Sequence, residues 1–207
     1  MNFVKDSNLC IALDLTDILE VSKIINKTND LVAAYKISPA YLWDLKDISS
    51  LIPPWVHIIL DGKYCDIGST AEQYSLFAWN YVKASACTVI PYFGIDGINP
   101  FLRDDKITFI VAASSNPSGD QDYKSVITQD PRIGFVAPAT KPDKLRDIRD
   151  LAPNQWLLVP GLGAQGGDLE SVVKIAGNKA LYVVGRDIIN ANEVRERAKY
   201  YRDAVTK

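Results

Sequence analysis

The chain has 207 residues, of which 47% are hydrophobic, 10% aromatic and 23% charged, with 12 glycines and 11 prolines; this ordinary globular composition excludes collagen-like, low-complexity and disulfide-scaffold classes. Lys and Arg total 23 against 25 Asp and Glu, a net charge of -2, and no basic run is present to neutralise a phosphate backbone, so nucleic acid is not an expected partner. The longest uncharged stretch, residues 151–167, is broken by Pro153, Pro160 and four glycines, so it cannot span a membrane as a helix.

In chain order, the N-terminus carries Lys5 and Asp6 and no apolar signal core, which points to a cytoplasmic protein. The three cysteines, Cys10, Cys65 and Cys87, are odd in number and far apart. That suits reduced thiols better than a disulfide framework. Short apolar runs then alternate with longer amphipathic segments, the pattern of repeated βα units around a parallel sheet. Strands are expected over 9–15, 33–38, 57–61, 88–92, 107–112, 133–136, 155–159 and 181–184, and helices over 18–26, 69–82, 141–151 and 192–205. Eight units in 207 residues leave about 26 residues each, the compact end for a single-domain (β/α)8 TIM barrel filling 1–207. An open doubly wound sheet is disfavoured because no G-x-G-x-x-G follows the first strand. In the last helix the Glu193 to Arg197 spacing gives mild support, and its charges read as a solvated face.

In such a barrel the chemistry sits where strands end. The first expected strand ends near Asp14 and the second at Lys36; the third ends in Asp61-Gly62-Lys63-Tyr64-Cys65-Asp66. If the third strand continues to Lys63, two-residue alternation places Asp61 and Lys63 on one side. Any one pair could be a simple salt bridge at the barrel mouth. Five alternating acids and bases at one rim form a functional candidate, because burying opposite charges seldom adds net stability. Lysines flanked by carboxylates stay protonated and can donate protons.

After the seventh and eighth strands come Pro160-Gly161-Leu162-Gly163-Ala164-Gln165-Gly166-Gly167-Asp168 and Gly185-Arg186. Glycines let backbone N–H groups approach oxygen, and Arg offers a planar fork, so this is a phosphate-site pattern, with a plain tight turn as the competing reading. Ser114-Ser115-Asn116-Pro117-Ser118-Gly119 could set a hydroxyl against a polar ring and is otherwise a turn. The single histidine, His57, stands at the start of an apolar run, away from the expected site. That removes a Ser-His-Asp triad, and no spacing suggests zinc.

These residues resemble the orotidine 5'-monophosphate decarboxylase family over nearly the whole chain. The resemblance rests on Leu13-Asp14-Leu15, Tyr35-Lys36-Ile37, Asp61-Gly62-Lys63-Tyr64-Cys65-Asp66-Ile67-Gly68-Ser69-Thr70, Ser115-Asn116-Pro117, Gly163-Ala164-Gln165-Gly166-Gly167-Asp168 and Val184-Gly185-Arg186. It implies a reaction on orotidine 5'-monophosphate, giving uridine 5'-monophosphate, with no metal and no organic cofactor. Asp61 would face the substrate carboxylate, Lys63 would protonate C6, and Lys36 would hold Asp61 and a ribose hydroxyl. Asp14 would bind ribose, Ser115 the pyrimidine, and Gln165, Gly185 and Arg186 the phosphate, with Pro160 beside them. Asp66 and Thr70 would complete the neighbouring site of a homodimer. Tyr64-Cys65 departs from the family's pattern, which more often has a basic or small residue followed by a small one.

Two alternatives remain on sequence grounds. One is a magnesium-dependent relative with the same D-x-K-x-x-D element, a 3-keto-L-gulonate 6-phosphate decarboxylase or hexulose phosphate synthase. The other is a non-catalytic barrel that binds a phosphate ligand.

Overall fold

The computed structural model describes residue 3 and residues 7–116 and 130–206; Lys5, Asp6, Pro117, Ser118 and Gly119 lie outside the described residues. Eight parallel strands, β1 (Leu9–Ala12), β2 (Ala34–Ile37), β3 (His57–Tyr64), β4 (Ala86–Val89), β5 (Ile107–Val111), β6 (Ile133–Val136), β7 (Leu157–Pro160) and β8 (Ala180–Val184), form a closed barrel in sequence order. β8 pairs back onto β1. The expected (β/α)8 barrel is therefore the observed architecture.

Every residue of β1, β2, β5 and β6 is buried, as a parallel sheet covered on both faces requires. Along β1, Cys10 and Ala12 point to the barrel interior with Ile59, Phe109, Leu158 and Leu181, while Leu9 and Ile11 pack outward under the helices. Each fully buried aliphatic side chain contributes roughly 1.5–3 kcal/mol, so these two layers hold the fold. Phe3 plugs the N-terminal end, its ring edge-on to His57 and Trp156 at centroid distances of 5.0 and 5.1 Å. His57 Nδ1 lies 3.1 Å from Ser85 Oγ, so the histidine belongs to that end and not to the mouth.

Helix α1 (Ile18–Thr28) starts where Asp17 accepts a 2.8 Å hydrogen bond from the Leu19 N–H, and it buries Val21, Ile24, Ile25 and Thr28, the spacing of one helix face. It runs past the expected end because the Thr28 hydroxyl bonds Ile24 O at 2.8 Å and meets the Tyr35 hydroxyl at 2.7 Å. α2 (Leu45–Leu51) follows β2. The single helix expected over 69–82 is instead α3 (Gly68–Leu76) and a π-helical turn, Phe77–Tyr81. The wider turn carries two buried residues, Ala78 and Trp79.

The fourth strand lies earlier than expected. It ends at Val89, and Pro91, which has no N–H for a ladder, opens a 3-10 turn, Pro91–Phe93, before α4 (Ile95–Ile98). α5 (Pro142–Leu151), α6 (Leu169–Ala176), α7 (Arg186–Ile189) and α8 (Val194–Val205) complete the ring. The charges of α8 are more than a solvated face. Arg195 forks onto Asp30 with two 2.7 Å bonds. Arg197 turns to Asp187 at 2.6 and 2.9 Å instead of Glu193, because the Asp187 carboxylate is half-buried and is also bonded by Tyr201.

Candidate functional site

The site begins at an irregularity in β3. Leu60 pairs with Cys87 and Tyr64 with Val89, so Asp61, Gly62 and Lys63 on one strand stand opposite Thr88 alone on the other. Such a bulge re-aims side chains at a barrel rim. Asp61 and Lys63 do face the same way, but the bulge achieves it and not the simple alternation expected from sequence. Lys63 takes a left-handed backbone, φ +46°. Gly62 is required by close approach: a Cβ there would lie 2.4 Å from the Tyr64 ring. Tyr64 itself is buried and stacks between Tyr74 and Phe101 at 4.9 and 5.6 Å, so the unusual residue of the motif anchors the bulge while exposed Cys65 follows it.

Asp61 is the hub. Its Oδ1 accepts from Lys63 Nζ at 2.7 Å and from the Thr88 hydroxyl at 2.8 Å, and its Oδ2 accepts from Lys36 Nζ at 3.0 Å. Lys36, arriving from β2, also reaches Asp14 Oδ1 at 3.4 Å. Burial pushes the Asp61 carboxyl up, but the two ammonium groups outweigh it and bring the pKa to about 2. Burial works against the Lys36 charge, and Asp61 and then Asp14 reverse this and raise its pKa above the ordinary value. Asp61 and Lys36 thus hold each other ionised at neutral pH. Beneath them, burial drives the Cys10 thiol up to about 12, which leaves it neutral.

The opposite wall comes from the loops after β7 and β8. Gly161, Gly163 and Gly166 all have positive φ, and the loop closes on itself through Gly166 N–H to Gly163 O at 2.8 Å. Gly163 is the position with least freedom: its φ is +72° and a Cβ would meet Asp187 Cβ and the Tyr201 hydroxyl at 2.8 Å. Asp187 is gripped by Arg197 and, at 2.5 Å, by Tyr201. The Tyr201 hydrogen bond and then Arg197 hold its carboxyl below the usual range despite partial burial. Arg186, one residue earlier, is exposed, and its side chain makes no ion pair or hydrogen bond among the described residues.

Asp14, Lys36, Asp61, Lys63, Ser115, Pro160, Gln165, Gly185 and Arg186 line one cavity of about 230 Å³. Asp66 and Thr70 do not line it. Asp66 Oδ1 accepts from the Ile67 N–H at 2.9 Å, and Thr70 is exposed on α3. A carboxylate between two ammonium groups therefore faces an unpaired guanidinium across one mouth. The model of the orotidine 5'-phosphate decarboxylase / HUMPS family matches residues 7–201.

The chain belongs to that family. It is 36% identical over 196 residues to the orotidine 5'-phosphate decarboxylase of Herpetosiphon aurantiacus, covering 82% of this chain and 73% of the relative. Its fold matches the OMP decarboxylase of Leishmania donovani with a TM-score of 0.87 and 27% identity, over 98% of this chain and 94% of that one. It also matches the UMP synthase of the same organism with a TM-score of 0.89 and 30% identity, over 97% of this chain but 53% of that longer chain.

Sequence reasoning passed over two features of this family member's site. Thr88 sits in an apolar run, and nothing there signals that a bulge will bring Asp61 and Lys63 against it; the glycine between the two charged residues is the one available hint. The cluster joins Asp187 to Arg197 and Tyr201, ten and fourteen positions further on, and the helical Glu193 to Arg197 spacing pointed Arg197 elsewhere.

Proposed function

We propose that the chain is a single catalytic domain spanning 1–207 that decarboxylates orotidine 5'-monophosphate to uridine 5'-monophosphate, the last reaction of pyrimidine nucleotide synthesis. The observation that carries this is the Lys36–Asp61–Lys63 array facing Arg186 across one cavity. Asp61 abuts the substrate carboxylate. The bond from C6 to that carboxylate breaks, carbon dioxide leaves, and the electron pair stays on C6. Lys63 Nζ then passes a proton to C6 and regains one from solvent.

Enzymes lower barriers by roughly 8–23 kcal/mol. Two like charges about 4 Å apart repel by roughly 4 kcal/mol at an effective dielectric near 20, so repulsion by Asp61 covers only a part. Stabilisation of the carbanion-like transition state by the fixed Lys63 ammonium, with binding energy from the distant phosphate, supplies the rest. Arg186, Gln165 and Gly185 take the phosphate beside Pro160, Asp14 and Lys36 take the ribose, and Ser115 takes the pyrimidine. The Gln165 loop closes over the phosphate and excludes water.

No metal or organic cofactor enters this scheme. The Asp61 carboxylate already accepts from three donors, two of them the ammonium groups of Lys36 and Lys63, which argues against its ligating magnesium as the alternative sugar-phosphate chemistry requires. The decisive experiment mixes the protein with orotidine 5'-monophosphate and excess EDTA and follows ultraviolet absorbance. Turnover supports the proposal; magnesium-dependent turnover of a sugar phosphate with none of the nucleotide selects the alternative, and binding without turnover of either selects the non-catalytic barrel.

The active form is a homodimer in which Asp66 and Thr70 complete the partner's site. Both stand outside their own cavity, on a surface where Ile67, Tyr92, Phe93 and Ile95 are exposed. Gly97 joins the two parts of that surface, since a Cβ there would lie 3.0 Å from Asp66 O and 3.3 Å from Phe93 Cβ. Apolar surface gathered this way suits burial against a second copy. Lys63→Ala and Asp66→Asn proteins, each nearly inactive, are expected to regain activity when their subunits are mixed; no recovery despite proven exchange removes site sharing. Among the described residues no helix is long and apolar enough to cross a membrane, and the three cysteines are unpaired thiols, which supports the cytoplasm as the place of action.

A further inference from the structure

The β3 bulge leaves Thr88 as the single residue of β4 facing three residues of the functional strand. Thr88 is 1% exposed, and its hydroxyl has one proton and two acceptor lone pairs. The Lys63 N–H donates to Thr88 Oγ1 at 2.9 Å, and an amide can only donate. The hydroxyl proton therefore goes to Asp61 Oδ1, 2.8 Å away, where the carboxylate can only accept. Lys63 Nζ closes the ring by donating to the same oxygen at 2.7 Å. One hydroxyl thus ties the Lys63 backbone, through Asp61, to the Lys63 ammonium.

Lys63 needs such a tie. A non-glycine residue at φ +46° is strained and persists only where its surroundings hold it. Lys63 is half exposed, with 51% of its side chain accessible, so packing does not fix the ammonium. The Thr88 bridge is the described backbone-directed contact at that point, and it also sets which Asp61 oxygen faces Lys63.

We propose that Thr88 is a positioning residue for the decarboxylation: by bridging the Lys63 amide and Asp61 Oδ1 it fixes the bulge in the conformation that aims the proton donor. The inference rests on the function proposed above. Because the hydroxyl acts on geometry developed at the reacting carbon, its loss falls on kcat and leaves the distant phosphate contacts, and so most of KM, in place.

The test compares Thr88→Val, which keeps the shape and removes both bonds, with Thr88→Ser, which keeps the hydroxyl and removes the methyl. Thr88→Val is expected to lower kcat by roughly 10- to 100-fold, with KM for orotidine 5'-monophosphate changed by less than about threefold, while Thr88→Ser recovers to within about threefold of the parent. If Thr88→Val does not fold, Thr88→Ala against Thr88→Ser gives the same contrast. Full kcat in the variant lacking the hydroxyl, equal losses in it and in Thr88→Ser, or a loss confined to KM overturns the proposal. A parent protein that leaves orotidine 5'-monophosphate untouched overturns the underlying reading instead, so the two failures are distinguishable.

Discussion

The two sides of the cavity solve opposite electrostatic problems. At the β1–β4 rim the charges that line the cavity are partnered: Asp14, Lys36, Asp61 and Lys63 form a row with contacts of 2.7–3.4 Å, and the Asp61 side chain is only 12% exposed. At the β7 and β8 rim the Arg186 guanidinium is exposed and, among the described residues, unpaired, and the Asp187, Arg197 and Tyr201 network lies behind it. A paired row in a half-dry site is organised before any ligand arrives and spends none of the ligand's binding energy on assembling itself. An unpaired guanidinium beside a glycine-rich loop gains its partner only from an anion. The first region suits chemistry and the second suits recognition.

The largest effect expected from breaking this contrast comes from the paired side. Lys63→Ala removes the proposed proton donor from an exposed rim position, so kcat should fall by at least about 10³-fold while urea unfolding stays near that of the parent. Retention of a tenth of the activity would contradict the assigned role.

Arg186→Ala comes next. It should cost roughly 2–5 kcal/mol in kcat/KM for the nucleotide, the range for removing one partner of a buried charge pair, and leave the phosphate-free nucleoside nearly unchanged. Equal losses on both substrates would make Arg186 a structural residue.

Acid then separates the two sides by stability. The Asp61 carboxyl sits at about 2 against a usual 3.8, a depressed value, so its contribution is complete above about pH 4 and disappears as pH falls through about 2; its size is on the order of 2 kcal/mol. Urea titrations from pH 7 to 2.5 should show the gap between the parent and Asp61→Asn closing over that window. A gap independent of pH would mean that the ion pairs do not hold Asp61 ionised.

The smallest effect tests the support behind Arg186. Tyr201→Phe removes the 2.5 Å bond to Asp187 and loosens the contact with Gly163, and it should raise KM for the nucleotide by roughly threefold to tenfold with kcat preserved. A change in kcat alone would assign the cluster to the other side of the cavity.

Much of this molecule is legible in the linear chain because its signals are local. Apolar runs at regular intervals announce eight strands, the amphipathic spacing of Val21, Ile24 and Ile25 announces a helix, and polar residues at strand ends announce the rim. The positions of Asp14, Lys36, Asp61 and Arg186 at one mouth follow from barrel connectivity alone, since every parallel strand points its C-terminal end the same way. The rest depended on pairing between distant segments. The bulge opposite Thr88 exists because β3 must keep its register with β4 on both sides of Asp61–Lys63 while Tyr64 packs between Tyr74 and Phe101. The choice of Asp187 over Glu193 as the partner of Arg197 was likewise settled by burial and by Tyr201, which the helical spacing could not express. Sequence periodicity determines which face a residue occupies; the register between strands and the neighbours it brings are decided only when the barrel closes.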